Sequence, residues 1–421
     1  ASAYNDTTFR DDRIVPLHSI DTDLSIAELF HGRTLAFKDL ALSLFPYLLT
    51  AAKKQEKEDR DILILTATSG DTGKAALEGF KDVAGTNIMV FYPSEGVSPM
   101  QKQQMQKQEG NNVKVSAIYG NFDDAQSFLK RVFTSAEVNA YANDKGVLFS
   151  SANSINWGRL VPQIVYYVSS YVTLVQQGEL QMGETLNVVV PTGNFGNILA
   201  AYYAKQMGVP LGKLICASNI NKVLTDFINT GVYNRNREFY ATCSPSMDIL
   251  ISSNLERLLY LLTGEDDAQI REWFTALSET GTYEVTDAVK TALQKDFFGG
   301  FCDDAATKAT IHQVYETYGY TCDTHTAVAV KVYQDYRKAT GDTTKTLIAS
   351  TASPYKFSPS VLEAKEPVSG DEYAMVDQLH ELSNLPIPAA LADLKNKERR
   401  FTSCIDKNDL QSFVLQQLHL G

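Results

Sequence analysis

From Asp61 onward, short apolar runs rich in Val and Ile alternate with longer amphipathic segments, a rhythm that restricts the chain to an α/β architecture. Ile62–Leu65, Ile88–Tyr92, Val113–Ile118, Val147–Ser150 and Val188–Val190 read as strands. The helices between them are expected at Thr72–Phe80, Pro99–Gln108, Asp123–Ser135, Trp157–Gln176 and Gly196–Gln206. Helical crossovers between consecutive strands imply a mostly parallel sheet, with ligands at the carboxyl ends of its strands. Residues 233–301 break the rhythm. Leu255–Leu262 and Ile270–Leu277 read as helices without strand partners, so a helical insertion is expected there. The sheet pattern resumes at Thr346–Ser350.

With 421 residues, 44% of them hydrophobic, the chain can build two or three domains with a large core. A formal charge of -12 argues against general affinity for nucleic acid or anionic membrane, which need a basic surface. The most apolar stretches, Leu40–Ala52 and Leu160–Val175, each contain a proline and fall short of the roughly 20 residues of a membrane helix. The opening residues Ala-Ser-Ala-Tyr-Asn-Asp lack the basic and apolar regions of a signal peptide, so a cytoplasmic location is expected. Cys216, Cys243, Cys302, Cys322 and Cys404 are odd in number and widely spaced, which suggests reduced, structural thiols. No His or Cys pair has metal-site spacing, so no metal is expected.

Small polar residues collect at the predicted strand ends. In Pro191-Thr-Gly-Asn-Phe-Gly-Asn197, glycines allow a sharp turn that aims several N–H groups and a helix start at one anion, and a phosphate suits it. A plain strand-to-helix turn is the alternative. The loop Ser69-Gly-Asp-Thr-Gly-Lys74 departs from a nucleotide P-loop in glycine spacing and in Ala75. Ser69 and Thr72 suit a substrate carboxylate or phosphate, with a simple capping turn equally open. Asn153-Ser-Ile-Asn-Trp-Gly-Arg159 places hydroxyl, amide and guanidinium donors at a helix start, a site for a second phosphate, with a surface ion pair as the alternative for Arg159. His325 lies in the polar cluster Asp323-Thr-His-Thr-Ala327, open to a structural or a functional role, whereas His312, His380 and His419 sit in ordinary helical surroundings.

Lys38 stands in Leu35-Ala-Phe-Lys-Asp-Leu-Ala-Leu-Ser-Leu-Phe45, where it and Asp39 are the charges in an apolar helical pattern. By itself such a lysine reads as one whose amine reaches water. In the first turn of a buried helix, desolvation and the helix field would both favour the neutral amine that attacks an aldehyde.

Taken together, His31-Gly-Arg-Thr-Leu-Ala-Phe-Lys-Asp39, Thr66–Gly79, Gly193–Asn197 and Thr351–Phe357 resemble, in order, the motifs of the threonine synthases. The resemblance implies the type II pyridoxal-phosphate fold: a large cofactor-binding domain of residues 1–55 and 160–421, with the insertion at about 233–301, and a small α/β domain of residues 56–159. It implies Lys38 as the cofactor lysine, Gly193, Asn194, Phe195, Gly196 and Asn197 as the phosphate cradle, and Thr351 against the pyridine nitrogen. Asn153, Ser154 and Arg159, with Ser69 and Thr72, would hold the substrate phosphate. The implied enzyme is a carbon–oxygen lyase acting on phosphates. It would convert O-phospho-L-homoserine and water to L-threonine and phosphate, the last step of threonine biosynthesis, as a monomer or homodimer. A phospho-lyase giving 2-oxobutyrate and a non-catalytic anion-binding relative are the alternatives. Three departures stand out: Arg33 and Thr324 replace prolines of the family pattern, and the 37 residues before Lys38 are fewer than its members carry, so a truncated chain is expected.

Overall fold

The computed structural model describes residues 2–95, 97–120 and 122–417. They form two compact α/β units, one of residues 1–12, 32–159 and 386–421 and the other of residues 13–31 and 160–385.

The first unit holds a five-stranded sheet in the order Cys404–Asp406, Val113–Tyr119, Thr86–Pro93, Asp61–Ala67, Val147–Ser150, with every pairing parallel. Its strands are apolar on both faces because both faces are covered. Ile62, Ile64, Ile88 and Val90 pack with Phe45, Leu77 and Phe80 on one side. Leu63, Leu65, Met89 and Phe91 pack with Phe128, Leu129, Leu410 and Val414 on the other.

This division differs from the expected domain boundaries at three places, because residues 1–12, 32–55 and 386–421 all group with the smaller sheet. Residues 32–55 group with the smaller sheet because the helix Lys38–Leu42 lies against the helix Asp71–Phe80. The two backbones approach so closely at Gly79 that a Cβ there would overlap the Leu42 carbonyl oxygen. Residues 386–421 join the same unit because Cys404–Asp406 extends its sheet beside Val113–Tyr119. Gly79→Ala is expected to destabilise the fold by about 1–3 kcal/mol through overpacking, read from the denaturant midpoint at constant slope.

The second unit carries a six-stranded sheet in the order Leu17–Asp21, Leu24–Glu28, Thr346–Ser350, Leu186–Pro191, Leu211–Ser218, Phe297–Phe301. Its first pairing is an antiparallel hairpin and the rest are parallel. The expected helical insertion is corrected here. Helices Leu255–Leu262 and Asp267–Glu279 are present, but Val232–Asn234 pairs antiparallel with Thr282–Glu284, and Phe297–Phe301 is a strand of the main sheet. Phe-Phe-Gly-Gly-Phe is a weak strand signal. Its glycines are needed for packing: a Cβ on Gly299 would meet Thr225 Cα at 2.9 Å, and one on Gly300 would meet Val332 at 2.6 Å. Among the described residues no helix is long and apolar enough to cross a membrane.

Candidate active site

In the first unit, Lys38 opens a helix of only five residues, Lys38–Leu42, followed by a separate helix Phe45–Gln55. The helix that Lys38 opens is therefore short, and the field at Lys38 is correspondingly weak. The loop before it wraps around a buried carboxylate. Asp39 accepts the Thr34 N–H at 2.8 Å and the Thr34 hydroxyl at 2.7 Å, and Gly32 leaves no room for a side chain beside it. Lys38 is mostly buried, and its Nζ lies 3.3 Å from Asp71 Oδ2 and 4.7 Å from the Phe37 ring centroid. Asp71 Oδ1 in turn accepts Gln101 Nε2 at 2.8 Å. Sequence reasoning missed Asp71 as the partner of Lys38, because the two are 33 positions apart.

Asp71 starts its helix, and the turn before it is tied by Thr68 Oγ1, which accepts the N–H groups of Gly70 and Gly73, each at 2.9 Å. Ser69 and Thr72 are half-buried on this turn. At the end of Val147–Ser150, Asn153 and Ser154 are half-buried in the loop that leads into Trp157–Gln176. Arg159 is 1% exposed and donates Nη1 to the Ala152 carbonyl at 2.6 Å, a buried position at odds with a surface ion pair. Lys102 donates its amine to the Ser94 carbonyl.

In the second unit, the loop after Leu186–Pro191 turns through Phe195, whose φ of 63° is left-handed, into the helix Gly196–Gln206. Such a conformation costs about 1–2 kcal/mol for a non-glycine residue, and here it places the buried Phe195 ring against Phe297, with ring centroids 5.7 Å apart. The Gly193 carbonyl accepts Ser252 Oγ at 2.9 Å, and the Asn194 carbonyl accepts the Asn254 N–H at 3.2 Å and its Nδ2 at 2.9 Å. A Cβ on Gly193 would meet the Ser246 carbonyl oxygen at 2.5 Å. Tyr166 and Tyr167 both donate to Asn197 Oδ1 at 2.5 Å. Burial pushes the Tyr167 phenol well up, so it stays a donor. Asn197 Nδ2 is buried without a hydrogen-bond partner among the described residues.

Thr351 is buried just beyond the end of Thr346–Ser350. His325 is buried in the first turn of Thr324–Thr340, with Nδ1 2.8 Å from Asp323 Oδ2. His419 lies outside the described residues. Glu28, paired in register with Ser350, meets His31 at 2.7 Å, His18 at 3.2 Å and Tyr320 at 2.9 Å. Burial pushes the Glu28 carboxyl up, but the hydrogen bonds with His18 and His31 outweigh it and hold it at about 2. A carboxyl depressed on folding stabilises above its unfolded value and loses that contribution on acidification. The stability gap between the native chain and Glu28→Gln is therefore expected to narrow between pH 4.5 and about 2, followed by unfolding titrations at stepped pH.

A family model described as pyridoxal-phosphate dependent enzyme matches residues 14–351, and one described as threonine synthase, C-terminal, matches residues 326–414. Threonine synthase of Eremothecium gossypii is 37% identical over 98% of this chain and 82% of its own length. The chain belongs to the threonine synthase family of pyridoxal-phosphate-dependent enzymes. A crystal structure of pyridoxal-phosphate-bound threonine synthase from Brucella melitensis superposes with a TM-score of 0.83 at 36% identity, covering 97% of this chain and 82% of that one. Human threonine synthase-like 1 is 39% identical over 99% of this chain, which spans 57% of the human protein. The chain thus spans about half the length of the threonine synthase-like 1 relatives it matches.

The family's cofactor is pyridoxal phosphate, and the loop at 193–197 fits its phosphate. Two carbonyls are already satisfied, a helix start follows, Gly193 has no space for a side chain, and the buried Asn197 amide has donor capacity left over.

Proposed function

We propose that this enzyme converts O-phospho-L-homoserine and water to L-threonine and phosphate. What supports the reading is a buried lysine in the same unit as Asn153, Ser154 and the buried Arg159, whose amide, hydroxyl and guanidinium groups would supply an anion site of their own. A substrate that itself bears a phosphate requires such a site in addition to the cofactor's own cradle. Bound pyridoxal phosphate supplies an aldehyde that captures amines and a conjugated ring that draws electrons from the substrate's α-carbon.

The remaining roles fall to the chain. Lys38 anchors the cofactor and then holds and moves the protons at the substrate's α- and β-carbons. Gly193, Asn194, Phe195, Gly196 and Asn197 bind the cofactor phosphate, and the Thr351 hydroxyl faces the ring nitrogen. As a neutral partner, Thr351 cannot hold that nitrogen protonated as a carboxylate would, which suits elimination better than amino transfer. Arg159, Asn153 and Ser154, with Ser69 and Thr72, bind the substrate phosphate and hold the leaving group in place.

A second reading stays with the same substrate: a phospho-lyase that yields 2-oxobutyrate, ammonia and phosphate, since relatives named threonine synthase-like 1 match this chain as well as those named threonine synthase. Product analysis with the cofactor supplied separates the two. Threonine and phosphate in equal amounts support the first reading; 2-oxobutyrate in place of threonine establishes the second; release of neither product overturns both.

A further inference from the structure

We infer that His325 is a positioning residue for the cofactor-phosphate cradle, acting through the strap of residues 244–254. The inference rests on the assignment of residues 193–197 to the cofactor phosphate. Three observations lead to it.

The first is the polarity of the contacts between strap and cradle. The strap offers donors to the cradle's carbonyls: Ser252 Oγ to Gly193, and Asn254 N–H and Nδ2 to Asn194. Across a trans peptide the carbonyl and the following N–H point in opposite directions. Drawing the Gly193 and Asn194 carbonyls toward the strap therefore turns the N–H groups of Asn194 and Phe195 away from it, toward the side an anion would occupy. The strap aims the donors that the phosphate needs.

The second is how the strap is keyed in place. The Ser246 N–H donates to His325 Nε2 at 3.2 Å, while the Ser246 carbonyl oxygen is the atom that a Cβ on Gly193 would strike at 2.5 Å. A single residue, Ser246, thus links the imidazole to the backbone of the cradle, through its N–H on one side and its carbonyl on the other.

The third is the fixed tautomer of that imidazole. A backbone N–H can only donate, so Nε2 is the acceptor and the ring proton sits on Nδ1, donated to Asp323 Oδ2 at 2.8 Å. Asp323 is fully buried and is held in turn by the N–H groups of His325 and Thr326, each at 3.0 Å. The line Asp323, His325, Ser246, Gly193 is a chain of single-purpose contacts that ends at the cradle.

The two amide replacements for histidine separate its two functions. His325→Gln places an acceptor near the Nε2 position and keeps the Ser246 contact. His325→Asn keeps a donor near Nδ1 for Asp323 and loses that contact. Cofactor-free protein titrated with pyridoxal 5'-phosphate, followed by absorbance and by the phosphorus NMR shift of the bound phosphate, reads the cradle without reference to turnover. His325→Asn is expected to weaken binding about tenfold or more and to move the phosphorus signal, whereas His325→Gln stays within about threefold of the native protein. Pyridoxal lacking the phosphate should bind all three proteins alike. If His325→Asn yields too little folded protein, Ser252→Ala carries the same expectation, since it deletes a strap donor with little loss of volume. Native-strength binding by His325→Asn, equal losses in the Asn and Gln variants, or parallel losses for pyridoxal and its phosphate would overturn the inference. Failure of the native protein to bind pyridoxal phosphate would instead remove the functional assignment on which it rests.

Discussion

Lys38→Ala is expected to retain its fold, to lower threonine formation on the order of 10³-fold or more, and to lack the absorbance band near about 410 nm shown by the native protein with its cofactor. The lysine is enclosed between Asp71 and the Phe37 ring and has the Thr34–Asp39 turn beside it. On the roles proposed for it, deleting its side chain would remove the anchor and the proton carrier together. It also leaves Asp71, 3% exposed, without this cation, though Gln101 still donates to it. A stability loss of about 1–3 kcal/mol should accompany the loss of activity, and Lys38→Arg should recover much of that stability but none of the band. A wild-type-like band in Lys38→Ala would reassign the cofactor lysine.

The second large effect is expected at Arg159. Its guanidinium is buried, and its Nη1 donates to the Ala152 carbonyl at 2.6 Å. Arg159→Met should raise the KM for O-phospho-L-homoserine by roughly 30- to 100-fold, corresponding to a lost charged hydrogen bond. Affinity for inorganic phosphate as a competitor should fall in parallel, while cofactor binding stays within about twofold, because the proposed cofactor cradle is built from other residues. An unchanged phosphate inhibition constant would take Arg159 out of the substrate site. Arg159→Lys should recover only part of the loss, since a single ammonium cannot reproduce the planar donor fork.

The parts of the fold written in local pattern were legible from the sequence. Val147–Ser150 and Thr346–Ser350 coincide with their expected limits because each is a short apolar run bounded by polar turns. The glycine loops at 69–74 and 191–197 were visible for the same reason, as breaks between a strand run and a helical period. What escaped was whatever depends on partners far along the chain. Phe297–Phe301 is a strand because Leu211–Ser218 lies beside it, and its two glycines answer to Thr225 and Val332, neither of them a neighbour in sequence. The pairing of Lys38 with Asp71 and the hold of Ser252 and Asn254 on the cradle are likewise long-range. Serines and asparagines in a connecting segment look like ordinary turn residues until the carbonyls they serve are seen.

The edge strand Cys404–Asp406 has a consequence for how the protein is made. It pairs with Val113–Tyr119, and between the two the chain carries residues 160–385, which together with residues 13–31 form the other unit and its sheet. During synthesis the other four strands of the smaller sheet leave the ribosome early but must wait for some 300 further residues, about 15–60 s at typical elongation rates, before their neighbour arrives. Throughout that interval Val113–Tyr119 is an unguarded edge, open to wrong pairings. The lysine-bearing unit is thus the first to begin folding and the last to finish, and holdase binding during translation should concentrate on nascent chains that have passed residue 119 and not yet reached residue 406.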